Sequence, residues 1–259
     1  MRLTLDLRCG VSGDMILGAL LDWYGRDHDV SGFLSNLSRA ASVQSPTRIN
    51  SSETDRGGRK ARRLEVEWDP LKKDTSSGKE MMSHLEEALT VMGSTDRSRK
   101  LARRILGTIL EAEAVVHNEP GPMQVHLHEA GTPDTLVDVV GIAYLYDMLE
   151  VDGYWVRGTP ISLGKGMIST AHGAYDIPVP AVRHMLRGLP ANVGPVEGEL
   201  ATPTGVAAAR SLVEIWLNDE EGGDRAMIPG KPVGSGAGER EYTDDFPNTL
   251  TIYEEADEP

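Results

Sequence analysis

The chain has 259 residues, 39% of them hydrophobic and 25% charged, with a formal net charge of −14 at pH 7. A chain of this length buries a core without staples, and its one cysteine, Cys9, excludes an intramolecular disulfide. The acid excess and an aromatic content of 5% argue against nucleic-acid binding, which uses basic grooves and stacking rings. Asp6 and Arg8 break the apolar core that a secretory leader needs, and no apolar run approaches the roughly 20 residues of a membrane span. The expectation is a cytoplasmic protein with neither nucleic-acid nor membrane partners.

Leu3, Leu5 and Leu7 alternate, which predicts a first strand. The turn Cys9-Gly10-Val11-Ser12-Gly13-Asp14 follows, then a helix over the apolar run 15–23. Ser31 is placed to cap a second helix carrying Phe33, Leu34 and Leu37. Residues 47–68 read as two extended segments about Gly57-Gly58, with Leu64, Val66 and Trp68 on one face of the second. The polar stretch 69–79 reads as a loop and is the best internal boundary in what otherwise reads as one domain, 1–259.

Helices are expected over 80–92 and 96–117; in the second, Leu101, Ile105, Ile109 and Ala112 recur at helical spacing. Thr132-Pro133 predicts a capped helix start, running to about residue 150. Strands and turns fill 153–180, and a short helix covers 181–187. Thr202-Pro203 opens another helix, to about 217. Strands about a glycine-rich turn, 234–238, are expected over 227–253. The stretch 239–259 is an acidic tail, with eight acids against one base, Arg240. This order predicts an α/β fold with a mixed sheet flanked by helices; α+β is the nearest alternative.

The sharpest chemical signal is Val125-His126-Leu127-His128-Glu129-Ala130-Gly131. On a strand, residues two apart face one side, so His126 and His128 would present two imidazoles, donors suited to Zn, Ni, Cu or Fe. Glu129 joins them as a ligand only where the strand ends and turns. The alternative is a pair of surface histidines ahead of a helix. His117 reads either as a further ligand or as a cation closing a helix, and His172, beside Gly173, as a loop donor. Asp134 and Asp138, four apart on one helix face, read as orienters of ligating imidazoles or, for Asp134, as a dipole partner; apolar neighbours make Asp138 the harder to dismiss.

The turn Gly10, Ser12, Gly13 is a strand–turn–helix junction, and helix N-termini bind anions. Thr202, Thr204 and Gly205, preceded by Glu197 and Glu199, form a second such start. Asp6 and Asp14 could hold a hard cation or act as bases. The basic run Arg56, Arg59, Lys60, Arg62, Arg63 suits phosphate or carboxylate, or is a solvated strand edge.

Taken together the chain resembles the nickel-insertion protein family of the nickel-pincer nucleotide pathway. The resemblance lies in DLRCGVSGDM (6–15), EAEAVVHN (111–118), VHLHEAGTPDTLVDVVG (125–141), AHGAYDIPVPA (171–181), VEGELATPTG (196–205) and GSGAGERE (234–241). It implies nickel binding and CTP-dependent insertion of nickel into pyridinium-3,5-bisthiocarboxylic acid mononucleotide, a cyclometallase (lyase) reaction that creates a carbon–nickel bond. Carried onto these motifs, the metal donors are His126, His128, His172 and His117. The nucleotide residues are Gly10, Ser12, Gly13, Thr202, Thr204 and Gly205, and the acid–base carboxylates are Glu129, Asp6 and Asp14. CTP, with magnesium or manganese, is expected to bind a C-terminal domain that the resemblance does not reach in this chain, supplied by a separate polypeptide; a homo-oligomer is compatible with this. A metal-dependent hydrolase using His126, His128 and His172, and a non-catalytic nickel metallochaperone, are the alternatives. The loop 69–79 contains no histidine, where the family carries a histidine-rich tract.

Overall fold

The computed structural model describes residues 1–71, 76–170, 173–223, 226–243 and 246–256. In chain order these begin β1 (Arg2–Asp6), α1 (Gly13–Tyr24), α2 (Val30–Ala41), β2 (Thr47–Arg56), β3 (Arg59–Trp68), β4 (Ser76–Ser77), α3 (Gly78–Met92) and α4 (Asp96–Val116). Next come β5 (His126–Leu127), α5 (Pro133–Met148), β6 (Trp155–Gly158), β7 (Ile161–Ser162), β8 (Gly164–Lys165), β9 (Met167–Thr170) and β10 (Gly173–Asp176). The chain continues with α6 (Pro180–Met185), β11 (Ala191–Asn192), β12 (Gly198–Glu199), α7 (Pro203–Leu212), β13 (Ile215–Trp216), α8 (Asp219–Gly222), β14 (Lys231–Ala237) and β15 (Thr249–Glu255). The predicted α/β class with a mixed sheet is what the chain forms.

Seven strands make the main sheet, in the order β13-β6-β1-β15-β14-β3-β2. β13, β6 and β1 run parallel, as do β14 and β3; β15 is antiparallel to both its neighbours, and β2 to β3. The β2–β3 hairpin turns at Gly57-Gly58, both with positive φ, as the sequence predicts. No described helix is long and apolar enough to cross a membrane.

The glycine-rich segment corrects one expectation. Residues 234–237 are not a turn but part of β14, and α1 lies directly on them. A Cβ on Gly234 would overlap the carbonyl oxygen of Ala19, and one on Gly236 that of Met15. Glycine is needed here for close backbone approach, not for a left-handed turn. Within the acidic end, Thr249–Glu255 form β15, which sits between β1 and β14. Its terminal charges are paired, Glu254 with Lys231 at 2.8 Å and Glu255 with Arg157 at 2.6 Å.

Two caps differ from expectation. Asp29, not Ser31, caps α2, accepting from the Ser31 and Gly32 N–H groups; its two carboxylate oxygens reach two orphan donors at once. Thr132 precedes α5 but its hydroxyl donates to the Glu129 carbonyl at 3.2 Å. α7 ends at Leu212, five residues short of the predicted limit, and a strand follows. Of the stretch 69–79, residues 72–75 lie outside the described residues.

The second layer places the site. α5 packs on α1, α4 and α7, so it is covered on nearly all sides. Leu136, Val137, Val139, Val140, Ile142 and Leu145 are all buried, and Asp138 is buried with them.

Candidate active site at two joined cavities

The turn after β1 is clamped to the chain before α7. The Val11 N–H donates to the Leu200 carbonyl at 2.7 Å, and the Thr202 N–H to the Val11 carbonyl at 3.0 Å. Gly10 holds φ +102, and a Cβ on Gly205 would overlap the Val11 carbonyl oxygen. The clamp thus sets the N-termini of α1 and α7 side by side, as two adjoining anion-favouring ends. Thr202 caps α7 through the Gly205 N–H at 3.2 Å. Ser12 does not cap α1; its hydroxyl donates to the Asp14 carboxylate instead.

Both helix starts open onto a cleft of about 670 Å³. Ser12, Gly13, Thr202 and Thr204 line it, while Gly10 and Gly205 serve the clamp behind. The cleft is dominated by acid: Asp14, Glu129, Asp134, Asp138, Glu199 and Glu239 all reach it. Arg63 and Arg240 are its basic wall. The two helix ends therefore already face carboxylates of the chain itself. A phosphate can sit beside them only with a cation between, because like charges repel across a short gap.

The carboxylates are held in a strained electrostatic state. Burial pushes the Asp14 carboxyl up, against the Ser12 hydroxyl and its own backbone contact to Met15 N–H at 2.9 Å, both of which favour the charged form. Burial, then Asp14 and Glu239, raise Asp134 to about 6. Asp138 is raised well above the usual carboxylate range, first by burial and then by Asp134 and Asp14; the Thr204 hydroxyl opposes this. Burial lifts Glu199 to about 7; Arg240 works against the rise and Glu129 adds to it. Such displaced carboxyls in a cleft mark acid–base or cation sites. Asp134, Asp138 and Glu199 are the residues that sequence reasoning placed only at the margin. The one available signal was a carboxylate at position 138 among apolar neighbours.

A smaller cavity of about 90 Å³ adjoins the cleft. His117 and His128 line it with Glu113, and Glu129 and Glu199 line both spaces. His117 Nε2 lies 3.4 Å from Glu113 Oε2. Tyr175 and Ile168, from the β9–β10 hairpin, close another side.

The paired-imidazole expectation needs correction. The strand is only His126–Leu127, and His128 leaves it with φ −100 and ψ −82, at the entry to a 3-10 turn, Glu129–Gly131. Alternation therefore does not carry across the pair. His126 is exposed, with Nδ1 3.7 Å from Glu119 Oε1, and lines neither cavity. His172 lies outside the described residues. Asp6 is also elsewhere: Arg8 takes both its oxygens, at 2.7 and 2.8 Å, and spans on to the Gly223 and Ala226 carbonyls. The basic run divides as well, since Arg63 reaches the cleft and Arg56 is buried at the hairpin end.

Among the described residues no three His, Cys, Asp or Glu side chains are gathered closely enough to hold a metal ion by themselves. The donor set of the small cavity, two imidazoles beside carboxylates, suits a borderline transition ion left incompletely ligated.

A putative nickel insertion protein of Dictyoglomus thermophilum is 34% identical over 97% of this chain and 60% of its own length. One from Geobacter metallireducens is 33% identical over 96% and 59%. The pyridinium-3,5-bisthiocarboxylic acid mononucleotide nickel insertion protein of a Nocardioides species is 32% identical over 96% and 58%. The chain thus spans about three fifths of the length of the curated relatives it matches. No solved structure matches it. The family described as nickel insertion protein matches residues 3–259, and the chain belongs to that family.

Proposed function

We propose that this chain carries out nickel insertion into pyridinium-3,5-bisthiocarboxylic acid mononucleotide, with the metal and the nucleotide meeting where the two cavities join. The observation that carries this reading is that Glu129 and Glu199 line both the imidazole-bearing cavity and the wide acidic cleft. Nickel is substrate here, not resident cofactor, and an open donor set serves a metal that must be handed on. His117 and His128, which line the small cavity, hold the ion, with His172 a further proposed donor. The thiocarboxylate sulfurs of the nucleotide complete the shell as it enters.

Forming a carbon–nickel bond requires a ring C–H to give up its proton. The electron pair of that bond passes to the metal, and the proton passes to a base. Glu199, with its carboxyl near 7, accepts a proton at neutral pH and releases it again, the property a general base needs. Glu129 beside it is the second candidate base.

The phosphate of the nucleotide takes the basic wall at Arg63 and Arg240. Asp14, Asp134 and Asp138 would hold a hard divalent ion, magnesium or manganese, only together with phosphate oxygens, since by themselves they are not gathered closely enough; the ion would supply the positive charge that lets a phosphate sit beside Ser12, Gly13, Thr202 and Thr204. The reaction is of the lyase class and depends on CTP, and the triphosphate binds in the portion of the relatives' length that this chain does not match. A separate polypeptide is one source of that portion.

The reading is tested by nickel calorimetry and by following nickel transfer to the thiocarboxylated nucleotide, with CTP, magnesium and a polypeptide carrying the CTP-binding portion supplied. Nickel binding with transfer supports insertion. Nickel binding with delivery to a partner protein and no transfer to the nucleotide would instead identify a metallochaperone.

A further inference from the structure

Arg56 stands at the last position of β2 and is only 5% exposed. Its Nη1 donates to the Arg240 carbonyl at 3.3 Å and its Nη2 to the Gly238 carbonyl at 3.4 Å. Its Nε meets no acceptor among the described residues. Its carboxylate partner, Glu241 at 3.1 Å, has a side chain 76% exposed, so water competes for that pair and it does little to repay the burial. Burial and the nearby Arg63 charge both act against the Arg56 guanidinium. What this costly group does accomplish is a grip on two backbone carbonyls.

Those carbonyls belong to the segment that leaves β14 and carries Glu239, Arg240 and Tyr242 into the cleft. Asn248 grips the same segment from the other side. Its Nδ2 donates to the Arg240 carbonyl at 2.9 Å, and its own carbonyl accepts from Gly238 N–H at 3.0 Å. The Arg240 carbonyl thus takes two side-chain donors, which fixes where its guanidinium starts. Arg240 and Glu199 line the same cleft, and Tyr242, two positions after Arg240, donates its hydroxyl to the Glu199 carbonyl at 3.4 Å; from that wall the Arg240 charge favours the charged form of Glu199, and Glu129 opposes it.

We propose that Arg56 is a positioning residue for the acid–base centre: by holding the 238–240 backbone together with Asn248, it keeps the Arg240 guanidinium within reach of Glu199. This rests on the reading of Glu199 as the base, but its test needs neither nickel nor nucleotide, so the two can fail separately.

The experiment is a carbon-13 carboxyl NMR titration of Glu199 in the intact, metal-free protein. Arg240→Gln should raise the midpoint by about one pH unit, because a nearby cation no longer favours the carboxylate. Arg56→Gln should raise it in the same direction. Arg56→Lys, which restores a donor, should recover part of the change. The double variant Arg56→Gln/Arg240→Gln should move the midpoint no further than Arg240→Gln alone. Should Arg56→Gln fail to fold, Asn248→Gly carries the test. Glycine accepts the φ of +50 at that position and removes only the side-chain grip, and it too should raise the midpoint. A midpoint left at its wild-type value by Arg56→Gln and Asn248→Gly would overturn the proposal. So would additive shifts in the double variant, or an Arg240→Gln protein that titrates like wild type.

Discussion

The carboxylate of Asp138 lies against the α-carbon of Gly13, so close that a Cβ at position 13 would overlap its Oδ2 and Cγ. A buried acid on α5 is thereby pressed to the first residue of α1, where the helix end favours negative charge. Gly13→Ala should force the two apart. The expected cost is about 1–3 kcal/mol, the range for inserting a methyl into a packed contact, with weakened magnesium binding. Urea denaturation measures the first and calorimetry the second. An alanine variant as stable as wild type would mean that the contact is slack.

Asp134 gives a pH signature. Its folded carboxyl titrates near 6, against an ordinary value of 3.8. A raised acid keeps its proton in the folded state when the unfolded chain has released it. Its effect on stability is therefore absent below pH 3.8 and grows as a loss while pH rises to about 6. Relative to wild type, Asp134→Asn should gain stability across that window and stay ahead above it. The gain should be on the order of 1–2 kcal/mol after allowing for solvent. Unfolding curves at several pH values settle this, and a pH-independent difference would contradict it.

The metal assignment separates three histidines. Replacing His117 or His128 by alanine should weaken nickel binding by at least about tenfold each, since even outer partners of metal ligands cost that much. His126→Ala should leave affinity unchanged, because that imidazole is exposed and outside both cavities. Equal losses in all three would restore the paired-strand reading.

Gly236→Ala should displace α1 from β14, because the added methyl meets the Met15 carbonyl oxygen. A backbone carbonyl cannot swing aside as a flexible side chain does, so about 3 kcal/mol or more is expected. Thermal denaturation reads it; a melting temperature unchanged from wild type would argue against this packing.

Much of the fold was legible because its signals are local. The Gly57-Gly58 hairpin, the helical spacing in α4 and the Pro133 and Pro203 helix starts depend only on neighbouring residues. The strand role of Gly234 and Gly236 was not legible, since it depends on a helix more than 200 positions earlier. The site divides in the same way. Ser12, Gly13, Thr202 and Thr204 announce helix starts, and the structure sets them in one cleft. The His126–His128 spacing misled because the strand ends after two residues. Asp6 misled because Arg8, two positions on, folds back to take both its oxygens. Glu199 acquires its character from burial and from Arg240 and Glu129, none of which a sequence window displays.

The most direct test of the central claim is single-turnover transfer of nickel from the loaded protein to pyridinium-3,5-bisthiocarboxylic acid mononucleotide, with CTP, magnesium and a polypeptide carrying the CTP-binding portion present, in wild type and Glu199→Gln. Wild-type transfer should rise with pH through about 7, the value at which Glu199 sheds its proton. Glu199→Gln should bind nickel as wild type does, yet transfer it about 10²–10⁴-fold more slowly, the usual contribution of a positioned base, and without that pH dependence. Wild-type transfer rates in Glu199→Gln, with the same rise through neutral pH, would contradict the account.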